Sequence, residues 1–363
     1  MRRVLAALTL LVVGCGGDDQ VPRASQTPTA VPTAAPTAVP EPPPRPRATK
    51  LTIGVTGDLL PHLPVVDRAR TADGYDFRPM LRPIRGWVRG NDLAFCHVET
   101  PLAPGAPVGY PVFRSPPALA RAVKATGFDA CSTASNHSVD QGQDGIDSTR
   151  RALDEAGLRH TGTFSNPRQR RRAAMLEARG VKVALLAYTQ MTNGIPLPHP
   201  WSVNLAEAGR ILRDARRARR AGAQVVIVNL HWGTEFSSAP DAFQRTLARR
   251  LSRSRAITAV VGQHAHVVQP IRRVGRLWVV FGEGNLLSNQ SAACCAAATQ
   301  DGMLVRLHLR VGPRAQRVDR ITYTPTWVRH PDYAILHARK AARASYNRTV
   351  ATVGRSRRLK PVP

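Results

Sequence analysis

The fold of this chain is organised around the stretch TASNHSVDQG, which occupies residues 133–142. An apolar run, 128–132, precedes it and is typical of a buried strand, whereas residues 145–153 follow it with the pattern of a helix. Asn136 and His137 therefore lie on a loop at the carboxyl end of a strand, where open α/β sheets place their active sites. An amide oxygen next to an imidazole can supply a metal ligand and a proton donor. Taken alone, such a pair more often indicates a turn cap beside a surface histidine.

Five predicted strands each end in a side chain that can bind a metal. Because the carboxyl ends of parallel strands in one sheet lie on the same edge, these side chains can converge although they are far apart in sequence. Oxygen ligands mixed with imidazole suit a divalent ion such as Mn²⁺, Fe²⁺ or Zn²⁺. The residues are Asp58 after 51–57, Glu99 after 93–98, Asn136 after 128–132, His231 after 224–230, and His264 and His266 after 257–261.

The amino terminus has the pattern of a bacterial lipoprotein signal. Two arginines are followed by an apolar run, 4–13, that is too short to span a bilayer but has the length of a secretory signal core. Cys15 comes directly after this run and resembles a lipobox cysteine; an ordinary secretory signal that contains a cysteine is the alternative. We expect residues 1–15 to be a lipoprotein signal peptide. Lipidated Cys15 would then anchor an extracytoplasmic protein to the bacterial cell membrane.

The remaining chain divides into three predicted parts. Residues 16–50 form a Pro/Thr-rich tether that we expect to be disordered. Residues 51–330 form the folded domain, and residues 331–363 form a basic carboxyl-terminal extension. The 52 Lys and Arg against 24 Asp and Glu give a formal net charge of +28. This excess reflects either a GC-rich genome or attraction to an anionic surface. Nucleic acid is not expected as a partner at an extracytoplasmic location.

The cysteines and one arginine run leave alternatives open. Cys96 and Cys131 lie on adjacent predicted strands, where they form either a disulfide or two buried thiols. The vicinal pair Cys294 and Cys295 is not expected to pair with itself, because adjacent residues fit disulfide geometry poorly. The run 168–172 is either a solvated face or a contact for an anionic polymer.

In their order along the chain, the motifs resemble those of the CapA family of capsule or poly-γ-glutamate synthesis proteins. The resemblance extends from about Leu51 to Val328. It implies an α/β fold related to calcineurin-like metallophosphatases, a four-layer sandwich of two mixed β-sheets flanked by helices. The motifs are Gly57-Asp58, Glu99, Asn136-His137-x-x-Asp140-x-Gly142-x-x-Gly145, His231-Trp232-Gly233-x-Glu235, Gly262-x-His264-x-His266 and Gly284-Asn285.

The resemblance also implies roles for individual residues. It implies one or two divalent transition metals per chain, Mn, Fe or Zn, with Glu99 as the bridging ligand. Asn136, His231 and His264 would complete one metal site, Asp58 and His266 would contribute to the other, and His137 would be the catalytic proton donor. Where the metallophosphatase pattern has a histidine two residues after the first Asp, this chain has Leu60, so the second site is weak, empty or completed by His62.

Two functions are consistent with these features. In the first, the domain is a metal-dependent, phosphoesterase-like hydrolase that acts on a phosphoester or a related bond during the biosynthesis or export of an anionic capsular polymer. In the second, it is a non-catalytic partner that binds the nascent acidic polymer through its metals and arginines. Both functions imply a polymer-synthesis membrane complex as the partner.

Overall fold

The computed structural model describes residues 10–14, 16–17, 23–24, 48–312 and 315–362. Its contacts divide the chain into two units, Met1–Arg45 and Pro46–Pro363. Cys15 and most of the predicted signal peptide and tether lie outside the described residues. Across the described ranges, no helix combines the length and the apolar character needed to cross a membrane.

The second unit alternates strands and helices. The strands are β1 (Thr49–Leu60), β2 (Arg70–Thr71), β3 (Gly74–Tyr75), β4 (Leu93–Val98), β5 (Ala130–Ser132), β6 (Arg159–Thr161), β7 (Ala174–Ala178), β8 (Val181–Thr189), β9 (Val225–His231), β10 (Ala259–Gln263), β11 (Ile271–Val274), β12 (Leu277–Val280), β13 (Asn285–Ser288), β14 (Asp301–Val311), β15 (Gln316–Val328), β16 (Ile335–His337) and β17 (Leu359–Pro361). The helices are α1 (Leu63–Arg68), α2 (Arg78–Leu81), α3 (Arg85–Arg89), α4 (Ala118–Thr126), α5 (Gly142–Glu155), α6 (Pro167–Arg170), α7 (Ala208–Arg220), α8 (Ala242–Ser252), α9 (Ala338–Ala341) and α10 (Arg343–Val353), with 3₁₀ turns at Arg82–Ile84 and Ala297–Gln300.

Two mixed sheets form the centre of this unit. The larger has nine strands in the order β16-β15-β14-β1-β4-β5-β6, with β13 beside β1 and β17 beside β15. Its strands β1, β4, β5 and β6 are parallel, and β14 is antiparallel to β1. The smaller has the order β11-β12-β10-β9-β8-β7, with parallel central strands and an antiparallel strand at each edge.

Alternation of side chains along the strands separates the layers. Val55 of β1 and Ile227 of β9 belong to one apolar cluster that fills the space between the sheets. The intervening Val226 and Val228 belong instead to a cluster that packs against α7 and α8. On the outer face of the larger sheet, Ala94 and its neighbours pack against α4. The result is the predicted four-layer arrangement of helices, sheet, sheet and helices.

The folded unit continues past residue 330, where the sequence suggested a boundary. Within residues 331–363, β16 pairs antiparallel and β17 pairs parallel with β15. Val353 and Leu359 are buried in the layer between the sheets. This segment therefore belongs to the folded unit. It adds two strands beside β15 and contributes apolar side chains to the core.

Of the two states left open for the first cysteine pair, the structure contains the disulfide. Cys96 and Cys131 are register partners on β4 and β5, and their sulfurs are bonded. Cys294 and Cys295 are exposed free cysteines.

Candidate metal centre

The candidate site occupies one end of the layer between the sheets. Along β9, Val225 and Ile227 face the apolar core, and Asn229 and His231 continue the same face with polar side chains. On β4, Phe95 belongs to this core, and His97 is the next residue on that face. The strands thus carry apolar side chains for most of their length and change to polar ones at their carboxyl ends.

The structure brings all six predicted metal ligands together, from the strand ends of two sheets rather than of one parallel sheet. Asp58, Glu99 and Asn136 come from the larger sheet, whereas the three histidines follow β9 and β10 of the smaller. All six are buried, and Asp58 is 0% exposed. The two sheets face each other, and the candidate ligands of both lie at the same end of the layer between them. The site therefore forms between the sheets rather than along the edge of one.

Short distances connect the two groups of residues. The Asn136 Oδ1 lies 2.7 Å from the His231 Nε2, and the same nitrogen lies 3.7 Å from the Glu99 Oε1. His266 spans the two carboxylates, with Nδ1 3.3 Å from the Asp58 Oδ2 and Nε2 3.6 Å from the Glu99 Oε1. His264 Nδ1 is 3.1 Å from the His231 Nε2.

Two further residues join the cluster, neither of which the sequence motifs predict as a ligand. The His97 Nε2 lies 3.7 Å from the Asp58 Oδ1, and its Nδ1 is 2.7 Å from the Ser132 Oγ. Glu235, at the end of the His231 motif, lies 4.0 Å from the His266 Nε2. His97 lies on β4 and precedes Glu99, the residue after the strand, by two positions. The period of two along extended backbone is the sequence signal that places both on one face.

Three groups of side chains have the proximity that a metal ion requires. In each group the potential ligand atoms all lie within 4.8 Å of one another. The groups are Asp58 with His97 and His231, Asp58 with Glu99 and His266, and Glu235 with His264 and His266.

Unsatisfied polar atoms supply the test of whether a cation fits. The Asp58 Oδ1, both oxygens of Glu99, the His97 Nε2 and the His231 Nδ1 are buried and have no hydrogen-bond partner among the described residues. Such atoms are costly to bury unless something pairs with them. Because they belong to two carboxylates and two imidazoles of one cluster, a divalent cation is the group that fits them.

Burial shifts the pKa values of these groups in opposite directions. Burial, reinforced by the nearby His266, lowers the pKa of His264 to about 3. Burial likewise lowers the pKa of His97 to about 4. At His266, burial is outweighed by the carboxylates of Glu99 and Asp58, which raise its pKa to about 10. Burial raises the pKa of Glu99 well above its ordinary range. The imidazoles of His97 and His264 are therefore neutral, the form that binds metal.

Close backbone approaches shape the site. A Cβ at Gly57 would lie 1.9 Å from the Gly284 carbonyl oxygen, and a Cβ at Gly262 would lie 2.1 Å from that of Phe281. Only glycine fits at these two positions. His264 and His266 have φ values of 91° and 55°. Non-glycine residues in this region carry a strain of about 1–3 kcal/mol each, which the surrounding packing must hold.

His137 lies beside this cluster on the wall of a cavity of about 410 Å³. Its Nδ1 is 2.7 Å from the Asp140 Oδ2, which also accepts the Phe113 backbone N–H. The cavity wall also includes His266 and Glu235, so the cavity connects the cluster to solvent-accessible space. The His137 imidazole is thus held by Asp140 beside the candidate metal ligands, at the wall of the same cavity.

Leu60 and His62 occupy the positions at which the resemblance leaves a second metal site in question. Leu60 is a buried residue of β1, so no side-chain ligand stands two residues after Asp58. His62 lines the cavity, with its Nδ1 3.0 Å from the Leu60 carbonyl oxygen. It belongs to none of the three ligand groups found among the described residues.

Comparison with known proteins identifies a capsule-related family. The family model described as bacterial capsule synthesis protein PGA_cap matches residues 52–290. The capsule biosynthesis protein CapA of Bacillus anthracis is 30% identical over 195 residues, which cover 52% of this chain and 46% of that protein. The PGA biosynthesis protein CapA of Bacillus subtilis (strain 168) is 27% identical over 192 residues, which cover 52% and 49%. The chain thus spans about half the length of these curated relatives.

Solved structures that resemble the chain include a phosphoesterase and a nucleotidase. The calcineurin-like phosphoesterase YfkN from Bacillus subtilis has a TM-score of 0.49 at 16% identity, covering 84% of this chain and 98% of that chain. A 5′-nucleotidase precursor from Thermus thermophilus has a TM-score of 0.47 at 15% identity, covering 84% and 59%.

Proposed function

This chain belongs to the family of bacterial capsule synthesis proteins described as PGA_cap, and we propose that it takes part in the biosynthesis or export of an anionic capsular polymer of the poly-γ-glutamate type. Its similarity to two CapA proteins, one named for capsule and one for PGA biosynthesis, supports this proposal. The proposed partners are the nascent polymer or a phosphoester substrate, together with a polymer-synthesis membrane complex.

We further propose that the protein is extracytoplasmic and anchored to the bacterial cell membrane through lipidated Cys15. The support is the short apolar run that ends directly before this cysteine. Cys15→Ser is expected to release the protein from the membrane fraction or to leave it unprocessed. A Cys15→Ser protein that is processed normally and stays in the membrane at its usual mass would refute the anchor.

The single observation that carries a metal-dependent site is the set of buried, unpartnered ligand atoms at Asp58, Glu99, His97 and His231. We propose that one or two divalent transition metals, Mn, Fe or Zn, are held there by the residues that surround these atoms. A metal bound at this position supplies Lewis acidity toward an anionic oxygen of the substrate. The ligands would be Asp58, Glu99, Asn136, His231, His264 and His266, with His97 as an added candidate.

In the hydrolase, His137 is the proposed proton donor. Asp140 accepts a hydrogen bond from the His137 Nδ1, which fixes the ring and leaves Nε2 for proton exchange with a ligand in the cavity. General-acid catalysis by such a group typically contributes about 10²–10⁴-fold to the rate. The hydrolase therefore needs His137 for turnover, but not for holding the metal.

The second candidate function is a non-catalytic binder of the acidic polymer. It is favoured by Leu60, which removes a side-chain ligand next to Asp58 and leaves the second metal site short of donors. In that case the cluster would be an anion site built on a cation, and no bond would be cleaved.

Adjacent alanine variants separate the two functions. His137→Ala is expected to retain metal and fold but to lose hydrolysis of bis(p-nitrophenyl) phosphate or the native substrate by about 10²–10⁴-fold. Asn136→Ala, the matched variant one residue away, is expected to lose metal and activity together. Metal content by elemental analysis and turnover with added Mn²⁺ or Zn²⁺ are the readouts. Absence of turnover in the wild type, with polymer production preserved in cells that carry His137→Ala, would leave the binder.

A further inference from the structure

A second cavity lies on the helix side of the smaller sheet, and none of its lining residues belongs to the cavity beside His137. Its volume is about 380 Å³, within the roughly 300–1,000 Å³ of ligand pockets. Tyr188 of β8 and Ala218 of α7 form part of its wall. Four arginines, Arg170, Arg171, Arg172 and Arg217, also line it, beside apolar residues such as Leu186.

Arg170 is the unusual member of this wall. Its Nε and Nη2 are buried and have no hydrogen-bond partner, and no other arginine of the described chain has a buried guanidinium nitrogen in that state. Arginine stays charged in proteins, so a buried guanidinium edge without an anion is costly. Asp214, the one carboxylate among the described residues lining the cavity, is already engaged by the Tyr188 hydroxyl and the Arg217 Nη1, both at 3.1 Å.

The two unpartnered nitrogens of Arg170, Nε and Nη2, are the pair with which other arginines of this chain bind a carboxylate in bidentate fashion. In Arg348, Nε and Nη2 each donate to one oxygen of Asp301 at 2.8 Å. In Arg78, the same two nitrogens donate to the two oxygens of Asp76 at 2.8 and 2.9 Å. Arg170 has the same edge but lacks the carboxylate. Its planar fork matches two anionic oxygens in one plane, a geometry that a lysine ammonium does not provide.

We propose that this cavity is a carboxylate-binding site, separate from the metal centre, in which Arg170 grips a carboxylate group of an acidic ligand. Arg171, Arg172 and Arg217 add positive charge around the entry. The carboxylate belongs either to a small free acid or to a side chain of an acidic polymer.

Calorimetric titration of the full chain tests this site. The probes are L-glutamate, a short γ-linked glutamate oligomer and inorganic phosphate, in buffer with phenanthroline, an uncharged chelator that removes metal binding from the measurement. Saturable binding of either glutamate probe is expected, and the tighter of the two identifies the source of the carboxylate. No saturable binding of a glutamate probe, or saturable binding of phosphate alone, would overturn the proposal.

Three variants test whether the Arg170 guanidinium binds the carboxylate. Arg170→Gln and Arg170→Lys are each expected to weaken binding about tenfold or more, because both lose the charge-assisted pair of hydrogen bonds. Arg168→Gln is the matched control, an exposed arginine of the same short helix outside the cavity, and is expected to bind like wild type. Melting temperatures without ligand confirm that each variant is folded. Equal weakening by Arg168→Gln and Arg170→Gln, or full binding by Arg170→Lys, would contradict the assignment.

Discussion

The two ends of the layer between the sheets are built on the same strand faces and differ in almost everything else. At one end, Phe95 and Ile227 pack in an apolar cluster. Two residues further along β4 and four along β9, His97 and His231 face the cluster of candidate ligands. The apolar end has its interactions satisfied by packing, whereas the polar end retains buried atoms without partners. Stability and chemistry are thus divided along the length of the same strands.

A polar layer lies between the two ends on β9 and β10. Asn229 donates to Gln263 at 2.8 Å, and Gln263 donates to Glu283 at 2.7 Å. Gln263 also contacts the Thr56 backbone carbonyl at 3.4 Å. Amide side chains satisfy one another without introducing charge beside the apolar core. This layer shows how one strand face can support a packed core and a charged site a few residues apart.

The largest expected effect comes from the apolar end. Phe95→Ala is expected to lower the free energy of unfolding by about 3–5 kcal/mol, because it removes a buried aromatic side chain and leaves a cavity. Metal content of the folded variant is expected to stay at the wild-type level, since Phe95 belongs to none of the ligand groups found among the described residues. Urea denaturation and elemental analysis measure the two quantities.

The matched control for this prediction is Phe236→Ala. Phe236 lies at the rim of the cavity beside His137 and is 42% exposed, so its removal is expected to cost less than about 1 kcal/mol. Loss of metal from folded Phe95→Ala would show that the two ends are not independent.

The contrast between the apolar and polar ends also explains which parts of the fold and of the site could be predicted from the sequence. Asp58, Glu99 and His231 were recognisable because each follows a largely apolar run, and the order of the motifs indicated the fold class. The strand that carries Asp58 in fact continues to Leu60. His97 was missed because it sits inside an apolar run, where only the direction of its side chain places it in the site. The period of two along the strand, counted from Glu99, gives that direction once the strand is assumed. The convergence of strand ends from two different sheets depends on tertiary packing that a local pattern does not contain.

The second-largest expected effect is stabilisation of the polar end by metal. Excess Mn²⁺ or Zn²⁺ at about 100 times its Kd is expected to raise the free energy of unfolding of the wild type by about 2.7 kcal/mol, since only the folded chain holds the ligands together. His231→Ala is expected to lose most of this gain and to be modestly less stable without metal, because Asn136 loses its 2.7 Å contact.

His308→Ala is the matched control for the metal effect. His308 lies on β14, paired with Thr52 near the start of β1, and it belongs to none of the ligand groups found in the described chain. It is expected to retain the full stabilisation by metal in thermal denaturation. A wild type whose melting temperature does not rise with either metal would remove the basis for the metal centre.

The smallest expected effect concerns Glu283, which the polar layer buries completely. Burial, with the Asp58 charge nearby, raises its pKa well above the ordinary value of 4.5. The folded state therefore keeps the carboxyl group neutral at a pH where the unfolded chain ionises it. Its contribution to stability is complete below the unfolded pKa and is lost as the pH rises toward the folded one.

Glu283→Gln is neutral in both states, so at about pH 5 it is expected to change the free energy of unfolding by less than about 1 kcal/mol. As the pH rises, the difference is expected to move in favour of the variant. Urea denaturation of both proteins across this range measures the trend, and Glu177→Gln, an exposed change on β7, is expected to show none. A wild type that gains stability over Glu283→Gln with rising pH would mean that Glu283 is buried as a charged group, and the neutral boundary between the two ends would be wrong.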